Sequence, residues 1–186
     1  GGTAGDVPIH EVGDPHHEVG DPHLWLNPVF AEGYVVGIRD GLIKADPERS
    51  GIYSSNARAY IEQLRALDRE IDAALRQVPS LRRNLVSYHD AFGHFGDRYG
   101  WKTTSLVPHH AGDTTPEDFV RVVTKIVDDG IPTVFIEPQL ESKVMQAAAR
   151  EAGATSATIR TLVDESAPSY IAMMRNNTQS LVDNLR

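Results

Sequence analysis

Apolar residues in the first half of the chain recur at helical spacing in two successive segments. The first begins at Pro28 and ends near Asp46, and its apolar positions are Val29, Phe30, Tyr34, Val35, Ile38, Leu42 and Ile43. The second steps by three and four residues and predicts one helix from about Pro47 to Val78, roughly 45 Å long. A break near Gly51 is the alternative, which would give two shorter helices.

The rest of the chain alternates short β-rich runs with helical segments. Strands are predicted at 85–88, 101–107, 133–136 and 156–162. Helices are predicted at 91–99, from the Thr115 cap to Gly130, at 141–152 and at about 169–185. This alternation indicates an α/β fold with a four-stranded parallel sheet flanked by helices. Residues before 80 are helix and loop only, so we expect them to lie outside that α/β unit.

Composition and charge exclude several classes of protein. The 186 residues suffice for about one domain, and the net charge of −8 offers no basic surface for nucleic acid. The absence of cysteine excludes disulfides, thiolate metal sites and cysteine nucleophiles. No apolar run reaches the ~18 residues of a membrane span. No signal peptide is visible, and we expect the natural protein to start further upstream.

A histidine-rich repeat stands near the start of the chain. Residues 1–22 are rich in Gly, Pro, Asp and His without an apolar period, which predicts a flexible loop. The unit HEVGDPH is written twice, at 10–16 and 17–23, and the second copy runs directly into Leu-Trp-Leu-Asn-Pro. The repeat is either a collector of metal ions or an insertion without a role.

Residues able to bind a metal follow every predicted strand within a few positions. They are His89-Asp90, His109-His110, Glu137 and Asp164-Glu165. Because open α/β sheets bind ligands beyond the carboxyl ends of their strands, these side chains predict a site for zinc, manganese, iron or nickel. Each also has an ordinary interpretation as a helix cap, a turn acid or a solvated loop residue. His94, among aromatic residues of a helix, is expected to be a packed side chain.

Four short segments then occur in order along the chain. They are DPHLWLNP (21–28), VSYHDAFGHF (86–95), FIEPQ (135–139) and YIAMMRNN (170–177). Together they resemble the zinc- and manganese-binding solute-binding proteins of metal ABC importers, the TroA-like cluster, over about residues 21 to 186. The resemblance implies two α/β lobes joined by a long rigid helix, with the metal between the lobes.

The resemblance also implies a division of the chain. Residues 1–22 would be the His-rich loop, 23–46 the end of the N-terminal lobe, 47–79 the connecting helix and 80–186 the complete C-terminal lobe. The rest of the N-terminal lobe has no counterpart in this sequence, which is the main departure from the family.

Metal ligands follow from the same resemblance. They are His23 of the DPHLW segment, His89 of the SYHDAF segment and Asp164 after the last strand. The family normally takes a further histidine from the early N-terminal lobe, and no segment here matches it. Auxiliary candidates for that ligand are His16, His17 and Glu137.

The function implied is that of an extracytoplasmic protein, periplasmic or on the cell surface, rather than an enzyme. It would capture Zn²⁺, less readily Mn²⁺, and deliver it to the permease of an ABC importer, acting as a monomer without nucleic acid. The second partner expected is a periplasmic metallochaperone. Histidine ligands favour zinc over manganese. The alternatives are a zinc metallohydrolase with Glu137 as base, and a zinc-buffering or adhesin-type protein with the same site.

Overall fold

The computed structural model of this protein describes residues 21–105, 116–140 and 143–186. In chain order its helices and strands are α1 (Pro28–Ala45), α2 (Ser50–Leu75), β1 (Asn84–Ser87), α3 (Gly93–Tyr99), β2 (Lys102–Ser105), α4 (Pro116–Asp128), β3 (Thr133–Ile136), α5 (Lys143–Glu151), β4 (Thr155–Thr158) and α6 (Tyr170–Leu185). Turns of 3-10 helix at Leu24–Leu26, Pro47–Arg49 and Ser80–Arg82 precede α1, α2 and β1. None of the helices in these ranges has the length and apolar character needed to cross a membrane.

The four strands form one parallel sheet in the order β2-β1-β3-β4. Side chains alternate between its two faces. Leu85 and Phe135 pack in a core shared with α2, α3 and α6, whereas Val86 and Val134 pack with α4 and α5. Helices therefore cover both faces of the sheet, and the predicted α/β fold class is confirmed.

Strand β4 is shorter than predicted and ends at Thr158. Just beyond it, Asn177 in α6 bonds the main chain of Arg160: its Oδ1 accepts a hydrogen bond from the Arg160 amide at 2.8 Å and its Nδ2 donates to the Arg160 carbonyl at 2.7 Å. A side chain thus satisfies both main-chain groups of Arg160 at the open edge of the sheet, where the described residues supply no further strand.

Helix α1 has the predicted bounds. The side chain of Asn27 accepts a hydrogen bond from the main-chain amide of the second helical residue at 3.0 Å, and Pro28 occupies the first helical position. The side of the helix that carries Tyr34, Ile38 and Leu42 is exposed to solvent, with exposed fractions of 45%, 64% and 43%. The apolar spacing thus predicted the helix but not the burial of all its apolar residues.

Helix α2 is one continuous α-helix from Ser50 to Leu75, and it begins three residues after the predicted start at Pro47. The Pro47–Arg49 turn leads into 26 helical residues, about 39 Å in length. The helix ends at Leu75, three residues before the predicted C-terminus at Val78. There Arg83 donates from Nε to the Val78 carbonyl at 3.0 Å and from Nη2 to the Arg76 carbonyl at 3.3 Å. These bonds satisfy carbonyls of the turn that follows the helix.

The two halves of α2 have different partners. Leu67, Ile71 and Leu75 of the C-terminal half are at most 2% exposed and belong to the core under the sheet. The preceding part packs along α1, where Arg65 forms a two-pronged ion pair with Glu32 at 2.9 and 3.0 Å. The expectation that residues before 80 lie outside the α/β unit therefore needs correction, because α2 supplies part of its core. The domain boundaries remain predictions.

The different burial of the two halves of α2 can be tested by replacing one isoleucine in each half with alanine. Ile71→Ala removes a 1% exposed side chain and should lower the free energy of unfolding by about 2–5 kcal/mol, because it opens a cavity in the core. Ile52→Ala, at a 57% exposed position of the same helix, should change it by less than about 0.5 kcal/mol. Chemical denaturation measures both, and equal effects would contradict the assignment.

Candidate metal centre

His23 is held in place by the turn that follows it. Leu26 is fully buried in the core. The indole Nε1 of Trp25 donates to the Thr161 carbonyl at 2.8 Å, and the hydroxyl of Tyr170 donates to the Trp25 carbonyl at 2.7 Å. Because only the second copy of the HEVGDPH repeat is followed by Leu-Trp-Leu, this anchor selects the histidine that ends the second copy.

The side chain of Asp21 bonds both the main-chain amide and the ring of His23. Its Oδ1 accepts hydrogen bonds from the His23 amide at 2.9 Å and from the His23 ring at Nδ1, 2.7 Å away. Burial alone raises the pKa of the Asp21 carboxyl, but the hydrogen bonds from His23 outweigh burial and lower the pKa on balance. Asp21 is therefore an ionised acceptor at neutral pH.

His89 follows β1 and is held at the carboxyl edge of the sheet. The hydroxyl of Ser87 donates to the His89 carbonyl at 2.9 Å. The ring Nδ1 lies 3.1 Å from Oε1 of Glu137, which directly follows β3, the neighbouring strand. The hydrogen bond to Glu137 raises the pKa of His89. The Glu137 side chain is fully buried, and its Oε2 has no hydrogen-bond partner among the described residues.

These two histidines meet. The ring centroids of His23 and His89 are 5.3 Å apart, with an interplanar angle of 70°. Trp25 also packs edge-on against His23, with ring centroids 5.3 Å apart. Two imidazoles from distant parts of the sequence thus face one another beside the carboxyl ends of β1 and β3, where a parallel sheet places its ligands.

Asp164 is engaged within its own loop. Its Oδ2 accepts from Arg160 Nε at 2.6 Å, and its Oδ1 accepts from the Ser166 hydroxyl and amide at 2.7 and 2.9 Å and from the Ala167 amide at 2.8 Å. The hydrogen bonds from Ser166 and Arg160 lower the pKa of Asp164 to about 2. The carboxylate is therefore ionised. The hydrogen bond between Trp25 and Thr161 connects this loop to the segment that carries His23.

The structure thus assembles part of the predicted site. Within the described ranges, no group of three or more His, Asp or Glu side chains is arranged to hold a metal ion. His23 and His89 come together, and Asp164 remains paired with Arg160. Glu137 contacts His89. The remaining histidine candidates fall outside the described residues, namely His16, His17, His109 and His110.

His94 is a packed side chain, as predicted. It is 8% exposed, and its ring stacks edge-on against Phe30 at 5.5 Å. Sequence reasoning did not identify the hydrogen-bond partner of His94, which is the Asp21 carbonyl, 3.1 Å from the Nε2 of His94. Asp21 itself was also missed. The available signal was its position two residues before His23, a spacing at which an Asp side chain reaches a following main-chain amide.

Comparisons with known proteins agree with this architecture. Residues 3–184 match the family model described as zinc-uptake complex component A, periplasmic. The manganese-binding lipoprotein MntA of Halalkalibacterium halodurans is 32% identical over 180 residues, covering 92% of this chain and 57% of MntA. The high-affinity zinc uptake system protein ZnuA of Paracoccus denitrificans is 29% identical over 175 residues, covering 91% of this chain and 51% of ZnuA.

A solved structure shows the same fold. It is the periplasmic zinc binding protein TroA from Treponema pallidum, with a TM-score of 0.86 and 24% sequence identity, covering 96% of this chain and 69% of that one. The chain spans about half the length of the curated relatives it matches.

The anchor of His23 can be tested by removing one indole N–H. Trp25→Phe loses the hydrogen bond to Thr161 and should loosen the Leu24–Leu26 turn, so the amides of Leu26 and Asn27 should exchange with deuterium faster. Trp101→Phe is the matched control, because the buried Nε1 of Trp101 has no hydrogen-bond partner among the described residues. Unchanged exchange in Trp25→Phe would show that packing alone holds the turn.

Proposed function

The chain belongs to the family of periplasmic zinc-uptake complex component A, and on that premise we propose that it is an extracytoplasmic protein that captures Zn²⁺ and delivers it to the permease of an ABC importer. The observation that supports this most is the facing pair of His23 and His89 at 5.3 Å. We infer a periplasmic or cell-surface location and a monomeric state, with a periplasmic metallochaperone as a second candidate partner.

The proposed ligands are His23, His89 and Asp164. Two imidazoles already face one another, and Asp164 carries the negative charge that compensates a cation. For Asp164 to bind, the entering cation takes the place of the Arg160 guanidinium as its partner. The described residues bring no further histidine to the pair, and His16 or His17 as a fourth ligand is the competing alternative that the deletion of residues 10–16 tests.

Zn²⁺ is the proposed cargo, with Mn²⁺ as the alternative. Imidazole nitrogens suit zinc, whereas manganese is better served by carboxylate and carbonyl oxygens. Relatives named for each metal are similar to this chain. The metallohydrolase alternative receives no support, because the matched family is one of zinc uptake. Glu137, the residue proposed as its base, forms an ion-pair contact with His89.

Loss of any one ligand should abolish tight binding. His23→Ala, His89→Ala and Asp164→Ala should each weaken Zn²⁺ binding by more than the roughly 10–100-fold that removal of a residue behind a ligand causes. Asp129→Ala is the control, because Asp129 is also an ion-paired surface carboxylate, bonded to Lys125 at 2.9 Å. Calorimetric titration measures the affinity. Tight binding that survives His89→Ala refutes this ligand set.

The repeat should act as a collector of metal rather than as part of the tight site. Removing one seven-residue copy, 10–16, leaves an identical unit in front of Leu24. We expect unchanged equilibrium affinity for Zn²⁺. Loading at low zinc should be slower, because the deletion removes imidazoles that would otherwise concentrate metal near the site. Loading is measured by stopped-flow with a fluorescent chelator as donor.

The competing outcome of the deletion is equally defined. If His16 supplies a ligand, removing 10–16 lowers the equilibrium affinity by orders of magnitude, and His16→Ala in the full chain reproduces that loss. A deletion that changes neither affinity nor loading rate means that the repeat has no part in metal binding.

A further inference from the structure

Each histidine of the facing pair has a carboxylate at the same ring atom. Asp21 Oδ1 lies 2.7 Å from Nδ1 of His23, and Glu137 Oε1 lies 3.1 Å from Nδ1 of His89. The two carboxylates come from unrelated parts of the chain, one from the segment before the first turn and one from the end of β3. We propose that Asp21 and Glu137 are positioning residues that keep the proton of each ring on Nδ1 and thereby present both Nε2 atoms to the metal.

The proposal rests on the proposed function and adds to it the atom by which each ring binds. An ionised carboxylate only accepts hydrogen bonds, so a 2.7 Å contact with Asp21 requires the proton to be on Nδ1 of His23. A ring protonated at Nδ1 has its free lone pair on Nε2. Carboxylates placed behind histidine ligands in this way fix the ring orientation and increase its basicity toward a metal.

Asp21 is itself held from the far side. The Nε2 of His94 lies 3.1 Å from the Asp21 carbonyl and 3.6 Å from its Oδ2. Gly93 adjoins the same oxygen, because a Cβ at that position would stand 3.0 Å from Asp21 Oδ2. A side chain at residue 93 would therefore crowd the carboxylate, and the start of α3 forms a wall that directs Asp21 toward His23.

Glu137 has no evident role in packing. It is fully buried, one of its oxygens is used by His89, and the other has no hydrogen-bond partner among the described residues. Burial of a carboxyl group with an unsatisfied oxygen is costly, so the fold alone would favour an apolar residue here. A role in orienting His89 accounts for its presence, and it also separates Glu137 from the set of direct ligands.

The protonation of the rings can be read in the metal-free protein. At about pH 8.5, long-range ¹H–¹⁵N spectra of the 186-residue chain should show the proton of His23 and of His89 on Nδ1. His94 provides an internal contrast, because its Nε2 donates to a carbonyl and must carry the proton. A proton on Nε2 of His23 or His89, or a mixture of both forms, overturns the proposal without reference to metal binding.

Variants then connect ring protonation to affinity. Asp21→Ala should abolish the preference for Nδ1 in His23 and weaken Zn²⁺ binding about 10–100-fold in chelator competition. Asp21→Asn keeps an acceptor oxygen and should restore part of both. Asp183→Ala is the control, since Asp183 is an exposed carboxylate that accepts a hydrogen bond from Gln179 at 2.7 Å. Full affinity in Asp21→Ala contradicts a positioning role.

Glu137→Gln provides the second test, with the exposed Glu151→Gln as control. The glutamine has the size of the glutamate, and we expect altered His89 signals and weaker Zn²⁺ binding with His23 unchanged. If Glu137→Gln fails to fold, the His89 signals of the wild-type protein still decide the question. A wild-type chain that shows the predicted ring forms but does not bind Zn²⁺ refutes the proposed function and leaves the ring assignment intact.

Discussion

The burial of the Leu24–Leu26 turn is the constraint on which the candidate site depends. Leu26 lies in the same core as Ile71 of α2 and Phe135 of β3, so this turn cannot shift without opening the hydrophobic core. The two polar contacts of Trp25 fix its orientation as well as its depth. His23 directly precedes this turn, and its distance from His89 is therefore set by the packing of this core.

The parallel sheet supplies the other half of the arrangement. Strands β1 and β3 are neighbours, and each ends in a residue of the site, His89 after β1 and Glu137 after β3. Adjacent parallel strands bring their carboxyl ends to one edge, so two residues 48 positions apart form a close pair. The site thus combines one histidine fixed by a buried turn with another fixed by a strand end and a buried carboxyl group.

Local patterns predicted the elements well, and long-range contacts explain what was missed. Val134 and Phe135 lie in an apolar run that is buried on both faces of the sheet, which is a strong signal for a central strand. No local pattern could show that Asn177 would bond the main chain of Arg160 just after β4, because that contact joins residues 17 positions apart.

The same limit applies to the site. Strand ends indicated His89 and Glu137, and the family resemblance indicated His23. The contact between Asp21 and His94 spans 73 positions and depends on how α3 packs, so the sequence alone did not reveal it. The pairing of Asp164 with Arg160 was missed although the two are only four residues apart, because the loop had been predicted as strand up to residue 162.

X-ray absorption at the zinc edge tests the central claim most directly. The sample is the one-to-one Zn²⁺ complex of a variant in which the three other histidines of the repeat, His10, His16 and His17, are alanine. The account predicts two imidazole nitrogens at about 2.0–2.1 Å from zinc, with the multiple scattering typical of histidine rings. A shell made only of oxygen atoms, or a signal that persists when His23 and His89 are both replaced by alanine, would contradict it.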